Sequence, residues 1–231
     1  MDSYDLIIVN DFAHFNGGTA MVALNSTRAM AEAGQKITVF SAVAPIDEKL
    51  NHKNITVICT NQFEIAKDPN RLRAIRQGLW NHSAIQKMSA CLDNFDPNRT
   101  IVHVHGWTKS LSSSVIHEAV KRKFKVVISL HDYFIACPNG GFYNYQKNSI
   151  CKLKPLSKEC VLSNCDKSNY LQKLWRVNRQ YIQTRVSRIP DDVKHYISIS
   201  DFSQNILREY LPDDATVYDV ANPVFVNQQE S

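Results

Sequence analysis

Histidines end two of the predicted strands, and their positions suit them to chemistry better than those of any other residues in the chain. One strand runs into His103-Val104-His105 and another ends at His131-Asp132. Side chains alternate along a strand, so His103 and His105 lie on the same face. Ligands of open α/β sheets bind outside the carboxyl ends of the strands. The pattern favours a functional role for His105 and His131, whereas for His103 a packed core position is the simpler interpretation.

A glycine pair near the N-terminus is a second candidate binding element. Gly17-Gly18 follows the first predicted strand (6–10) and opens the first predicted helix (19–33). The free amides and partial positive charge of a helix N-terminus favour phosphate. The segment is not a G-x-G-x-x-G motif and no Walker lysine follows, which disfavours a dinucleotide or P-loop site. A tight turn into a helix, without a ligand, is the alternative.

The elements that must position these residues follow an alternating pattern. Short β-branched runs alternate with longer segments of helical period, which predicts an α/β fold: a Rossmann-like, doubly wound, mainly parallel sheet with helices on both faces. In the first helix, Met21, Leu24, Met30 and Ala31 are expected to face the sheet. The further strands are predicted at 36–41, 54–60, 100–105, 125–131, 195–200 and 216–220, and the further helices at 69–94, 110–123, 170–187 and 201–210.

A cysteine-bearing loop interrupts this pattern at residues 132–167. Four thiols can hold a tetrahedral zinc ion that would clamp such a loop, although their spacing is not that of a zinc knuckle. A structural zinc and one or two disulfides are both left open. Because the loop leaves the sheet at its ligand-binding edge, Asn139, Tyr143 and Tyr145 are predicted to contact a substrate. The four cysteines are Cys137, Cys151, Cys160 and Cys165.

Composition places the chain among folded, single-domain proteins. It has 231 residues, of which 44% are hydrophobic, and 27 basic residues against 22 acidic ones. This balance argues against disorder. The N-terminus has no basic region before its short apolar run, so a cytoplasmic location is predicted. Cys59 and Cys91, on a strand and a helix, are interpreted as core residues with reduced thiols.

A group of basic residues on the predicted helix 69–94 suggests a possible partner. Arg71, Arg73 and Arg76 lie near Trp80, a combination that suits an anionic membrane surface or a phosphorylated lipid-linked acceptor. A solvated helix face is the alternative interpretation. The chain has no clustered basic stripe with aromatic stacking platforms, so a nucleic-acid partner is not expected.

Six segments, in their order along the chain, resemble the retaining glycosyltransferases of family 4, which have the two-domain GT-B fold. The second of them stands where the family has L-x-x-x-G-H-x-V-x-V, with Gln35 in place of the usual histidine. The resemblance covers nearly the whole chain. The segments are Gly17-Gly18, 31–40, 103–107, 129–132, 199–203 and 220–224.

This resemblance implies an enzyme half. Residues 1–222 would be the N-terminal, acceptor-binding domain and 223–231 the start of an interdomain linker, with the C-terminal donor domain absent from the sequence. The complete enzyme would use a nucleotide-diphosphate sugar and no catalytic metal, and would act on a glycan, a lipid-linked or a small-molecule acceptor. The isolated half is expected to be inactive alone. The alternative is a non-catalytic Rossmann-like module that binds a sugar or a partner subunit.

The resemblance also assigns roles to individual residues. Gly17 and Gly18 would face the donor phosphates, and His131 would lie nearest the reacting hydroxyl group. Asp132 would orient His131 or cap the loop that follows. His105 and Trp107, at the end of their strand, would contribute to substrate binding. Asn139 and Tyr143 of the cysteine-bearing loop are the other predicted substrate contacts.

Overall fold

A seven-stranded parallel sheet forms the centre of the computed structural model, which describes residues 4–223. The strand order is β3-β2-β1-β4-β5-β8-β9. The strands are β1 (Asp5–Phe12), β2 (Ile37–Val43), β3 (Ile55–Cys59), β4 (Thr100–Val104), β5 (Lys125–Leu130), β8 (His195–Ser198) and β9 (Thr216–Asp219), and a separate antiparallel pair consists of β6 (Tyr143–Asn144) and β7 (Ser149–Ile150).

Helices cover both faces of the sheet, as the doubly wound prediction requires. They are α1 (Gly17–Glu32), α2 (Arg71–Leu79), α3 (His82–Leu92), α4 (Ser114–Lys121), α5 (Lys158–Leu162), α6 (Tyr170–Arg185) and α7 (Asp201–Leu207), with short 3₁₀ turns at Glu48–Leu50 and Arg208–Tyr210. The predicted fold class is thus confirmed.

Alternation along the central strand β1 divides the core into two clusters. Ile7 and Val9 belong to the larger cluster, which includes residues of α3 and α4, whereas Ile8 belongs to a smaller cluster that includes Leu24 and Ala31 of α1. All three strand side chains are fully buried. Successive residues of a strand point to opposite faces, so one short apolar run supplies both clusters. Met21, which was predicted to face the sheet, is 52% exposed, so that prediction was wrong.

The predicted helix 69–94 is two helices, α2 and α3. The chain breaks at Asn81, whose side chain accepts the amide of Ala84 at 3.0 Å and caps α3. Asn81 also donates to the carbonyl oxygen of Ser110 at 2.7 Å. An asparagine that bonds the backbone in this way favours a helix start over a helix interior. The apolar period across 69–94 concealed this break.

Two further boundaries differ from the prediction. Helix α4 begins at Ser114 and not at 110, because Ser112 adopts φ +61°, a left-handed conformation that a right-handed helix cannot contain. The loop 132–167 also contains regular structure, namely the β6–β7 pair and α5, so it is less irregular than its composition predicts. None of the helices within residues 4–223 has the length and apolar character needed to cross a bilayer.

Gly78→Ala is expected to destabilise the protein by about 1–3 kcal/mol, because it overpacks the contact between α2 and α6. A Cβ atom at Gly78 would lie 2.3 Å from Cζ2 of Trp175 and 3.0 Å from Cδ1 of Ile65. Urea unfolding measures the loss. Gly18→Ala is the matched control, since its Cβ would have no neighbour within 4 Å and it should change stability by less than about 0.5 kcal/mol. An equal effect of the two changes would contradict the packing argument.

Candidate active site

The carboxyl ends of β1 and β4 define the site, because the strand order reverses between them. From β1 the chain proceeds to β2 on one side, and β4 later pairs with β1 on the other. Gly106, directly after β4, allows the two strand ends to approach: its Cβ would lie 2.9 Å from Oδ1 of Asn10. Such a switch point is where open α/β sheets bind ligands.

Asp11, at the end of β1, holds the loop that follows β4. Its carboxylate accepts three backbone amides, from Lys109 at 2.9 Å, Ser110 at 2.8 Å and Leu111 at 2.9 Å. Asp11 is only 3% exposed, and burial raises its pKa above the ordinary value although the three amides act in the opposite direction. The sequence analysis missed this role, since the partners lie about a hundred residues away.

Three histidine rings form a continuous row at this edge of the sheet. The ring centroids of His103 and His105 are 4.1 Å apart, and those of His105 and His131 are 5.2 Å apart. Nδ1 of His105 lies 3.0 Å from Nε2 of His131, and Nε2 of His103 lies 2.8 Å from the Ser129 hydroxyl. His103 and His105 thus lie on the same face of their strand, as their spacing predicted, and His105 contacts the ring of His131.

The histidine row is held in the neutral state. Burial lowers the pKa of His103 and of His131 to about 4, and the proximity of His131 adds to the effect on His103. Burial and the two neighbouring rings place the pKa of His105 well below its ordinary value. A hydrogen bond between two ring nitrogens needs one donor and one acceptor, so simultaneous protonation of both rings would break it. At neutral pH, the His131 ring is therefore uncharged and can act as a hydrogen-bond donor or acceptor.

Asp132 is placed to shape the loop after β5. Its Oδ1 accepts the amide of Phe134 at 2.9 Å, whereas the described contacts of His131 are with His105. Of the two predicted roles, the geometry supports the loop cap. The residue as a whole is exposed, but its carboxyl group is surrounded by protein atoms, and this loss of hydration raises the pKa of Asp132.

Arg179 of α6 connects the two loops that flank the site. It is 8% exposed and donates to the carbonyl oxygens of Thr108 at 3.1 Å and Pro138 at 3.4 Å. Its guanidinium also lies 4.7 Å from the centroid of the Phe134 ring. Burial lowers the pKa of Arg179 to about 10, so the residue stays cationic at neutral pH. This buried cation thus fixes both loops and adds positive charge near Asp11 and Asp132.

The glycine pair lies at the same end of the sheet. Gly17 adopts φ +81° and begins α1 together with Gly18, and both residues are exposed. The cap residue Asn16 makes no side-chain hydrogen bond to the helix, so the first-turn amides keep free donors. The geometry fits the predicted phosphate-facing loop, which itself stays a prediction.

A cavity of about 470 Å³ lies between α2 and α6. Lys109 and Phe134 lie at its border, and both are bonded through their amides to the aspartates described above. Its lining is mostly apolar and contains four cations, together with the carboxylate of Glu64. The lining includes Ile65, Arg71, Ile75, Leu171, Trp175 and Arg176.

Three predicted substrate contacts have internal roles in the structure. Trp107 is 5% exposed in the core and its indole donates to Gln183 at 3.1 Å. Asn139 is buried and donates to the carbonyl oxygen of Cys165 at 2.6 Å. The Tyr143 hydroxyl bonds Asn148. None of these hydrogen bonds involves His103, His105 or His131. The substrate-binding roles of the three residues stay predictions.

The described residues give no support to the predicted metal or disulfide role of the loop cysteines. All six cysteines lie in the described residues and all are free thiols. Within residues 4–223, no three His, Cys, Asp or Glu side chains converge as a metal site. The zinc and disulfide roles therefore stay predictions. The anchors of the loop 132–167 in the structure are polar side chains of α6, including Arg179, Gln180 and Gln183.

The basic residues of α2 are partly consumed by internal contacts. Arg73 forms an ion pair with Asp68 at 2.6 Å, and Arg71 donates to the carbonyl oxygen of Ile65 at 3.1 Å. Trp80 packs edge-on against His117 and ends α2. The predicted basic face is therefore smaller than the sequence indicates, and the membrane contact stays a prediction.

Comparison with solved structures defines the fold class. The chain matches the crystal structure of Medicago truncatula UGT71G1 complexed with UDP-glucose at 11% identity and a TM-score of 0.50, covering 95% of this chain and 51% of that one. It matches LpCGTa in complex with UDP at 12% identity and a TM-score of 0.53, covering 97% and 53%. The chain has the Rossmann-like fold of one half of a GT-B glycosyltransferase, and it spans about half the length of these structures.

The family follows from the sequence match. The model of Glycosyltransferase Family 4 matches residues 16–226, which is most of the chain. This chain therefore belongs to glycosyltransferase family 4, as its motifs predicted. No curated protein matches its sequence.

Proposed function

We propose that this chain is the acceptor-binding half of a retaining glycosyltransferase that uses a nucleotide-diphosphate sugar. The observation that carries the proposal is the contact of 3.0 Å between His105 and His131 at the switch point of a family 4 domain. The histidine row is neutral, so His131 can position or polarise an acceptor hydroxyl. The exposed amides at Gly17 and Gly18 would meet the phosphate end of the donor.

The cavity between α2 and α6 supports an acceptor on this side of the site. Its volume of about 470 Å³ lies within the range of small-molecule pockets. Trp175 and Ile75 supply apolar walls, and Lys109 and Arg71 supply positive charge. This lining suits an acceptor with an apolar part and an anionic group, such as a lipid-linked phosphate, better than a neutral glycan. The proposed enzyme acts without a catalytic metal.

Chemical-shift mapping of the full chain tests the acceptor role. Nucleotide sugars and a panel of glycan and polyprenyl-phosphate acceptors are titrated separately. We expect acceptors to perturb the signals of Gly17, Gly18, His105 and His131, whereas nucleotide sugars bind weakly without a donor domain. His131→Ala should weaken acceptor binding about tenfold, the cost of one lost hydrogen bond. Exposed His82 is the matched control, and His82→Ala should leave binding unchanged.

The opposite result identifies the alternative. Two results would contradict the proposal that the chain is an enzyme half: tight nucleotide binding by this chain alone, or no perturbation of the four residues by any acceptor. Either result would favour a non-catalytic binding module. Equal acceptor affinity in the His131→Ala and wild-type chains would remove the histidine row from the acceptor site while leaving the family assignment intact.

A further inference from the structure

Lys173 is the exception among the polar residues that α6 buries. Arg176 pairs with Asp166 at 2.9 Å, and Gln180 donates to the carbonyl oxygen of Ile135 at 3.2 Å, so both meet oxygen atoms. The Lys173 side chain is 1% exposed and meets sulfur: Nζ lies 3.1 Å from Sγ of Cys165 and 3.5 Å from Sγ of Cys160. Within residues 4–223, no carboxylate forms an ion pair with it.

The two thiols determine the charge state of this buried amine. Burial by itself would lower the pKa of Lys173, but the contacts with Cys165 and Cys160 outweigh it, and the pKa lies above its ordinary value. A buried ammonium without a counter-charge is costly. The two sulfur atoms are the acceptors that this ammonium contacts, and a cation next to a cysteine favours the thiolate, which is the reactive form of that side chain.

The surroundings favour Cys165 as the reactive sulfur. Its Sγ is the nearer of the two to the ammonium and also lies 3.5 Å from Nδ2 of Asn139, a second N–H donor. Cys160 lies on α5, where its amide bonds the cap residue Ser157 at 3.2 Å. Both sulfurs lie within hydrogen-bonding distance of the same nitrogen atom, Nζ of Lys173.

We propose that Cys165, Cys160 and Lys173 form an oxidation site for small peroxides, with a Cys160–Cys165 disulfide as the product. The Cys165 thiolate attacks one peroxide oxygen: an S–O bond forms, the O–O bond breaks, and the leaving hydroxide takes a proton to become water. Cys160 then attacks the sulfenic sulfur: an S–S bond forms, the S–O bond breaks, and the second oxygen leaves as water. Two thiols and one hydrogen peroxide give one disulfide and two waters.

Cys91 is an internal control for this site. It is 4% exposed, as is Cys165, but burial raises its pKa to about 11 and no cation contacts it among the described residues. The full chain is treated with hydrogen peroxide, quenched with an alkylating reagent and digested for mass spectrometry. We expect Cys165 to oxidise at least about tenfold faster than Cys91, and the linked peptides to lack two hydrogens. Equal rates for the two cysteines would overturn the proposal.

Two substitutions test the partners. Lys173→Met removes the charge at similar length and should slow oxidation of Cys165 about tenfold, whereas Lys173→Arg keeps the charge and most of the rate. Cys160→Ser should stop the reaction at the sulfenic acid, which dimedone traps on Cys165. A product that links Lys173 covalently, or an unchanged rate in a folded Lys173→Met chain, would refute the mechanism. If Lys173→Met does not fold, the wild-type comparison with Cys91 still decides.

Discussion

Asp11→Ala is expected to lower the free energy of unfolding by about 4 kcal/mol, the largest single effect predicted for this chain. The substitution leaves the amides of Lys109, Ser110 and Leu111 without their acceptor, and two of these three bonds are buried. The loop after β4 would lose its anchor to β1, and the histidine row would lose part of its frame. Urea unfolding at neutral pH, followed by circular dichroism, measures the loss.

Two comparisons isolate the carboxylate. Asp96 accepts one backbone amide, from Asn98 at 2.9 Å, and the side-chain amide of the same residue at 3.3 Å, both in an exposed turn, so Asp96→Ala should cost less than about 1 kcal/mol. Asp11→Asn keeps one acceptor oxygen but turns an amide donor towards a backbone N–H, so it should fall between Asp11→Ala and the wild type. Equal stability of Asp11→Asn and the wild type would show that the carboxylate's second oxygen contributes nothing.

The second large effect is a loss of stability in acid. The folded pKa of His103 and of His131 is about 4, below the ordinary value of 6.5, so the unfolded chain takes up protons at a pH where the folded chain does not. Protonation then favours unfolding, and stability falls as the pH drops from about 6.5 towards 4. Each of the two histidines contributes about 1.4 kcal/mol per pH unit in this window. Together these two should remove about 3 kcal/mol between pH 6.5 and 5, and His105, whose pKa also lies well below its ordinary value, adds to the loss.

Urea unfolding as a function of pH measures this slope. His103→Phe removes one of the three rings whose pKa is lowered and should reduce the slope by about a third, with loss of the Ser129 contact. His82 is exposed, so His82→Gln should leave the slope unchanged. The buried carboxyl of Asp11 has a raised pKa and acts in the opposite direction at lower pH, which is why the comparison ends at pH 5. A flat profile in the wild type between 6.5 and 5 would contradict the neutral row.

Much of the fold could be predicted because its determinants are local. The run Ile7-Ile8-Val9 is apolar on both faces, and such runs are typical of parallel strands buried between two helical layers. The two strands that end in histidines could also be placed, since parallel strands share a carboxyl edge. Sequence reasoning therefore reached His105 and His131 without knowledge of the contact between them.

Other features could not be predicted because their partners are distant in sequence. Asn81 breaks a helix that its apolar period would continue, since its side chain bonds Ser110. The polar face of α6 resembles a solvated surface in sequence, yet Arg179, Gln180 and Gln183 are buried against the loop 132–167. The four cysteines of that loop suggested a metal or disulfides, whereas two of them contact Lys173.

The sequence by itself determined the seven strands of the main sheet, the edge of the sheet that carries the candidate site, and the family, because these depend on side-chain period and on short motifs. The tertiary structure alone decided which buried polar groups meet: Asp11 with the loop after β4, His105 with His131, and Lys173 with Cys165. Each of these pairs lies on two different segments. Their distances depend on how the sheet and its covering helices pack, and no local pattern in the chain encodes that.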